Sequence, residues 1–234
     1  MIEFFNSLLH PIIKFQQELN STIASNFRED SLIATLTILG ISLIYGIVHA
    51  LGPGHGKALV AGYFLSHEQS YPKAFKMGYM ISAIHAMSAL FITFIIYFVL
   101  DVLFSKTFQE TSIYMGKASG VLIMMIGIYL FFEQHKEHKE AYNAKKSDLS
   151  VAFSAGVVPC PGVMTIVLFS FMMGKVFVGI LAAIMMSIGM GITISLSAIL
   201  ALGVRKKSSD KISHFFPYIG NTMIILLGLY LTLN

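Results

Sequence analysis

Apolar stretches long enough to cross a membrane follow one another along the chain, separated by short polar connections. A bilayer core of about 30 Å takes roughly 20 helical residues per crossing, and six stretches reach that length. They lie at 39–66, 74–100, 113–132, 149–174, 177–203 and 214–233. The pattern predicts an all-α integral membrane protein with six transmembrane helices.

Two of these stretches are interrupted near their middles by prolines and glycines. Gly-Pro-Gly at 52–54 interrupts the first, and Val-Pro-Cys-Pro-Gly at 158–162 interrupts the fourth. Proline lacks an N–H and glycine tolerates positive φ, so each cluster predicts the end of one half-helix and the start of another. Hydrocarbon cannot satisfy the freed backbone groups, so we expect both broken helices to face a polar cavity.

The two halves of the chain follow the same plan when Pro53 is aligned with Pro159. Each half starts with an interrupted stretch, continues with a long span and ends with a shorter one. Three spans per half is an odd number, so the halves are expected to form two inverted three-helix repeats. The predicted units are an external interfacial amphipathic helix at 1–30, a first repeat at 31–132, a charged cytoplasmic linker at 133–148 and a second repeat at 149–234. Residues 1–30 lack a basic start, which argues against a cleaved signal peptide.

Composition and charge agree with a multi-pass protein of the cell membrane. The chain is 56% hydrophobic and 12% charged, about half the charged share of a soluble domain. Of its 16 lysines and arginines, ten lie on one side of the predicted membrane and four on the other, and Lys57 and Lys117 lie inside spans. The richer side holds Lys73, Lys76, Lys136, Lys139, Lys145, Lys146, Arg205, Lys206, Lys207 and Lys211, and the poorer side holds Lys14, Arg28, Lys106 and Lys175. The richer side is predicted to be cytoplasmic, with both termini outside. The net charge of +4 then reflects topology and gives no reason to expect a nucleic-acid partner.

Three histidines lie within the predicted spans and are candidate metal ligands: His49, His55 and His85. A neutral imidazole binds nickel, cobalt, zinc and copper. On an unbroken helix His49 and His55 would point about 240° apart, but the break between them allows both to approach one point, where His85 can join them. Cys160 is a further candidate ligand. Two other roles stay open, a helix-to-helix hydrogen bond for His85 and plain apolar packing for Cys160.

Lys57 leaves a second class of substrate open. An ammonium at the start of a half-helix attracts anions and repels divalent cations. The residues alone are therefore compatible with a metal-ion transporter and with an exporter of a small anion or zwitterion bound near Lys57. Lys57 can also act as a latch on carbonyls freed in the second broken helix. The candidate gating or electrostatic residues are Lys57, Gly52, Pro53, Gly54, Pro159 and Pro161.

Features of common membrane enzymes are missing from the sequence. It contains no His-Glu-x-x-His helix, and no span centre carries Asp or Glu to act as a base. A single cysteine is also a poor basis for thiol oxidoreductase chemistry. We therefore expect no enzyme and no permanent cofactor. His135 and His138 in the linker are interpreted as part of a solvated connection, with transient metal capture as the alternative.

The motifs together resemble one transport family. His-Ala-Leu-Gly-Pro-Gly-His-Gly-Lys at 49–57, His85 in the second span, the histidine-containing loop at 133–140 and Val-Pro-Cys-Pro-Gly at 158–162 resemble the NicO-type nickel/cobalt efflux transporters. The resemblance extends from about residue 35 onward. It implies Ni²⁺ or Co²⁺ as the transported substrate, with His49, His55 and His85 as the matching metal-site positions. Alternating access by rocking of the two repeats is the expected mechanism, and a homo-oligomer is left open.

Overall fold

The fold is known from a computed structural model that describes part of the chain. The described residues are 2–51, 60–61, 63–65, 69–99, 152–153, 155–157 and 161–208, with single positions at 121, 124, 125, 128, 218, 222, 225, 226, 229 and 232. Throughout these ranges the regular structure is helical, and they contain no strand. The predicted all-α class is therefore confirmed for this part of the chain.

Five helices have defined bounds within those ranges. They are α1 (Ile2–Asn26), α2 (Leu32–Leu51), α3 (Tyr71–Val99), α4 (Pro161–Met172) and α5 (Val176–Lys207). Three of them, α2, α3 and α5, are long and apolar enough to cross a membrane. The single positions described in the third and sixth predicted stretches are also helical. A membrane protein with several crossings is thus supported, while the count of six and the inverted repeat stay predictions.

The observed helices follow the apolar stretches closely, with one early start. α3 and α5 match the predicted spans at 74–100 and 177–203 to within four residues at each end. α2 begins at Leu32, seven residues before the predicted start at 39. Ser31 explains the difference, because its Oγ accepts a hydrogen bond from the Ala34 N–H at 3.0 Å and so caps the helix.

The second interrupted stretch has a visible change of direction. The chain is helical at 152–153 and 155–156, bends at Val157 and is helical again from Pro161. Proline suits the first position of a helix, where its missing N–H costs nothing. Residues 158–160 of this interruption lie outside the described residues, as does the whole of the first interruption at 52–54.

The N-terminal helix α1 folds back along α2. The Gln16 side-chain amide donates to the carbonyl oxygen of Val48 at 3.3 Å, sixteen residues into α2. At the other end of α1, the Phe27 ring packs edge-to-face on Phe169 of α4, with ring centroids 6.2 Å apart. The placement of this helix at the outer membrane surface stays a prediction. An amphipathic pattern identifies an apolar face and leaves open whether lipid or protein covers it.

α5 packs closely against both α2 and α3. At each crossing a glycine on one helix meets backbone or a side chain of the other, so that an added Cβ would overlap it. The contacts pair Gly46 with Met186, Gly189 with Leu43, Gly78 with Ser195 and Gly191 with Tyr79. Small residues at crossings are the usual means of close helix packing in membranes. The three spans therefore form one packed unit around α5.

Polar contacts join the connections at the two ends of α5. At its start, the Lys175 ammonium lies 2.8 Å from the Asp30 carboxylate. At its end, the Arg205 guanidinium donates to the Leu65 carbonyl, and Lys206 lies 4.5 Å from the centroid of the Tyr71 ring. The sequence places Lys175 on the same side as Arg28, and Arg205 on the same side as Lys73. The contacts at the two ends of α5 agree with that grouping. Which end faces the cytoplasm stays a prediction.

Candidate functional site

Some of the predicted site residues lie within the described ranges, and their roles stay predictions. His49 and His85 are described in full, and Pro161 is described as the first residue of α4. The remaining predicted site residues, Gly52, Pro53, Gly54, His55, Lys57, Pro159 and Cys160, lie outside the described residues. The site is therefore built here from His49, His85 and their neighbours.

His49 lies in the last turn of α2, just before the predicted first break. It is half-buried, and its ring stacks on Tyr45 one turn earlier, with centroids 5.8 Å apart and planes 4° from parallel. Residues four apart lie one above the other on a helix, which is how this pair meets. The stack fixes the orientation of the imidazole.

His85 is buried in the middle of α3, close to the segment that leads into the second break. One turn further on, Ser88 lies 2.9 Å from the His85 carbonyl oxygen and 3.2 Å from the Gly156 carbonyl oxygen, as donor to both. A Cβ on Gly156 would overlap the backbone of Ile81 and the side chain of Ile84. The turn that carries His85 is thus held against residues immediately before Pro159.

The His49 region meets the same break from its other side. Tyr45 is buried, and its hydroxyl lies where a Cβ on Gly162 would stand. Gly162 is in the first turn of α4, three residues after Pro159. The His49 imidazole is therefore linked to Gly162 through Tyr45, and the backbone carbonyl of His85 is linked to Gly156 through Ser88. The two contacts flank the second break.

A second hydrogen bond has the same form in the opposite half of the chain. The Thr193 hydroxyl of α5 donates to the Ile47 carbonyl of α2 at 3.3 Å, shortly before the first break. Ser88 on α3 does the same for Gly156. In each case a hydroxyl on the long span of one half donates to a carbonyl on the interrupted segment of the other half. Such reciprocal contacts are expected between two repeats related by a pseudo-two-fold axis.

The chemistry available here is that of imidazole nitrogen. None of helices α2 to α5 contains Asp or Glu, so no carboxylate on them competes for a cation or neutralises its charge. Among the described side chains, no three His, Cys, Asp or Glu come close enough together to hold a metal ion. His49 and His85 would accordingly need further donors from outside the described ranges, where His55 and Cys160 lie.

Sequence reasoning did not identify Tyr45, Ser88 or Thr193. Each had a usable signal. Tyr45 is four residues before His49 and Ser88 is three residues after His85, spacings that bring side chains together on a helix. Thr193 had a weaker signal, a hydroxyl within a stretch of small residues, and its partner could be found only from the packing.

Comparisons with known proteins agree with the motifs. Residues 35–148 match the NicO family model, described as high-affinity nickel-transport protein. A candidate nickel/cobalt efflux system of Methanocaldococcus jannaschii is 27% identical over 193 residues, covering 81% of this chain and 89% of the relative. A candidate nickel/cobalt efflux system of Haemophilus influenzae is 24% identical over 233 residues, covering 79% of this chain and 72% of the relative. No solved structure matches the chain. The family whose model matches is a transport family, and the resemblance to NicO nickel-transport proteins that the motifs predict is confirmed.

Proposed function

We propose that the chain exports Ni²⁺ or Co²⁺ across the cell membrane. Both relatives are named for nickel/cobalt efflux, and the matching family model is named for nickel transport. The direction of transport, export rather than import, is proposed from the names of those relatives. The metal is the transported substrate, and no permanent cofactor is proposed.

The ion would be held at mid-membrane by the imidazoles of His49, His55 and His85, with Cys160 and carbonyls freed at the two breaks nearby. One observation carries this proposal. Ser88, in the turn after His85, contacts Gly156. Tyr45, in the turn before His49, contacts Gly162, so a neighbour of each histidine contacts one side of the second break. Imidazole nitrogen is a suitable donor for nickel and cobalt.

Movement of the ion would follow from rocking of the two halves. The reciprocal contacts of Ser88 with Gly156 and of Thr193 with Ile47 support two repeats that meet around the site. Each contact is a single hydroxyl bond, worth about 0.6 kcal/mol on average between membrane helices. Bonds of that strength can break and reform as access alternates between the two sides.

The test is metal flux into proteoliposomes that contain a fluorescent chelator. We expect His49→Ala, His55→Ala and His85→Ala each to reduce Ni²⁺ and Co²⁺ flux to the level of empty vesicles, because each removes a ligand. His10→Ala, on α1, is the matched control and should leave flux unchanged. Wild-type flux in His55→Ala would remove that residue from the site.

The alternative substrate, a small anion or zwitterion held near Lys57, is not favoured by these matches. Lys57→Ala separates the two substrates. A metal transporter should keep its Ni²⁺ binding in this variant, whereas an anion exporter should lose its substrate. Loss of anion binding with intact metal binding would therefore revive the alternative.

A further inference from the structure

Tyr45 lies between the last turns of α2 and the first turn of α4. Its side chain is only 3% exposed. Its ring stacks on His49 at the end of α2, and its hydroxyl lies against Gly162 at the start of α4. A single buried side chain thus contacts a proposed metal ligand and the first turn of the helix that follows the second break.

The stack on Tyr45 decides where a metal ion bound to His49 can lie. The lone pair of an imidazole nitrogen lies in the plane of the ring, so a bound ion must lie close to that plane. The His49 plane is 4° from the Tyr45 plane. If the Tyr45 ring tilts, the stacked His49 ring tilts with it. The positions at which His49 can bind an ion then change as well.

Gly162 has no side chain and therefore leaves room for the hydroxyl end of Tyr45. A Cβ there would overlap the hydroxyl oxygen and crowd the adjoining ring carbon, so glycine leaves the room that the phenol fills. The first turn of a helix also carries N–H groups without partners inside the helix, which makes it a polar surface suited to a hydroxyl. A displacement of this turn of α4 would push or release the Tyr45 ring.

We propose that Tyr45 is a positioning residue that ties the orientation of the His49 imidazole to the position of the first turn of α4. The inference rests on the proposed function, in which His49 is a metal ligand. The ring orients His49 for the ion, and the hydroxyl transmits movement of the second broken helix to that ligand. Binding of the ion and movement of α4 then become coupled through one side chain.

The first experiment is a double-variant cycle on the full chain in detergent, with Co²⁺ as the probe. Bound Co²⁺ has visible absorption bands that report its ligand geometry. Gly162→Ala should weaken Co²⁺ binding by about tenfold, in the range seen when a partner that orients a ligand is disturbed, and should change the bands. Tyr45→Phe removes the hydroxyl that the new methyl group would strike. The double variant should therefore recover the affinity of Tyr45→Phe alone.

Flux measurements separate the two ends of the side chain. Tyr45→Phe keeps the stacked ring, so the half-saturating Co²⁺ concentration should stay at the wild-type value. It loses the contact with α4, so the maximal flux should fall. Tyr97→Phe is the matched control, because the Tyr97 hydroxyl donates to the Phe171 carbonyl at 3.2 Å at the far end of α4. That variant should leave both flux parameters and the Co²⁺ bands unchanged.

Tyr45→Leu keeps the proposal testable if Gly162→Ala does not fold. It removes the stacked ring, and it should weaken Co²⁺ binding and change the bands while the helical circular dichroism stays at the wild-type level. Unchanged Co²⁺ bands in Tyr45→Leu, or additive effects of Gly162→Ala and Tyr45→Phe, would overturn the positioning role. His49→Ala tests the proposed function separately. If that variant keeps wild-type Co²⁺ binding, the ligand assignment fails and the inference fails with it.

Discussion

Glycine determines how closely the membrane-spanning helices approach one another. A Cβ on Gly46 would overlap the carbonyl group of Met186, and one on Gly189 would overlap the carbonyl oxygen of Leu43. These neighbours are backbone atoms, which cannot move aside without shifting a whole helix. Gly40, on the same helix as Gly46, meets nothing within 4 Å. Gly46 therefore allows the close approach of α5, whereas Gly40, nearly two turns earlier on α2, has open space beside it.

Gly46→Ala and Gly40→Ala should differ in stability. Gly46→Ala forces α2 away from α5 and should lower the free energy of unfolding by about 1–3 kcal/mol, the usual cost of overpacking. Gly40→Ala adds a methyl group in open space and should leave stability unchanged or raise it by up to about 1 kcal/mol, since alanine favours helix over glycine. The chain has no tryptophan, so unfolding in detergent is best followed by far-ultraviolet circular dichroism. Equal stability of the two variants would contradict the close α2–α5 contact.

The sequence identifies polar residues within apolar stretches and does not identify the packing around them. Histidines within apolar stretches indicate a polar site because buried ionisable groups need a reason. The stack of Tyr45 on His49 was not predicted, although the spacing of the two residues on one helix allows it. The contact of Tyr45 with Gly162 joins residues 117 positions apart in the chain. The packing of α2 and α4 against α5 brings these residues together, and no local pattern encodes that packing.

At the scale of the helices, continuous apolar composition predicts the positions of α3 and α5. The start of α2 and the course of α1 depend instead on specific contacts. The start of α2 is fixed by the Ser31 cap, a local signal that a hydropathy pattern does not register. The course of α1 depends on Ile23 and Phe27, both 1% exposed, which attach its end to the rest of the molecule. The interface between α1 and α4 also contains a cavity of about 60 Å³ lined by Asn20, Phe27 and Thr165 among others.

Phe27 should be the main anchor of α1. Phe27→Ala removes the edge-to-face contact with Phe169 and enlarges the cavity, so unfolding stability should fall by up to about 3–5 kcal/mol. Phe15→Ala is the matched control on the same helix, because Phe15 is 44% exposed, and should have little effect. Limited proteolysis between α1 and α2 provides a second measurement. Cleavage that is no faster in Phe27→Ala than in Phe15→Ala would mean that α1 is held by other contacts.

In the whole molecule, the predicted charge groups and the observed packing assign the connections to the same two ends of α5. In the structure, Lys175 pairs with Asp30 at one end of α5, and Arg205 and Lys206 meet Leu65 and Tyr71 at the other. Over the 32 residues of α5 those ends are about 48 Å apart at 1.5 Å per residue. This distance exceeds the hydrocarbon core, so α5 is long enough to place the two groups on opposite sides of the membrane.

Cysteine labelling can establish which side is cytoplasmic. In a Cys160→Ser background, Asp30→Cys should react with a membrane-impermeant maleimide on intact cells, because the carboxylate it replaces is 91% exposed and lies at the predicted outer end. Lys206→Cys should react only in inside-out vesicles, since the end of α5 carries the positive charge typical of the cytoplasmic side. Gly40→Cys, in the middle of a span, should react in neither preparation. Labelling of Asp30→Cys and Lys206→Cys from the same side would contradict the membrane crossing of α5, and exchange of their sides would reverse the proposed topology and place both termini in the cytoplasm.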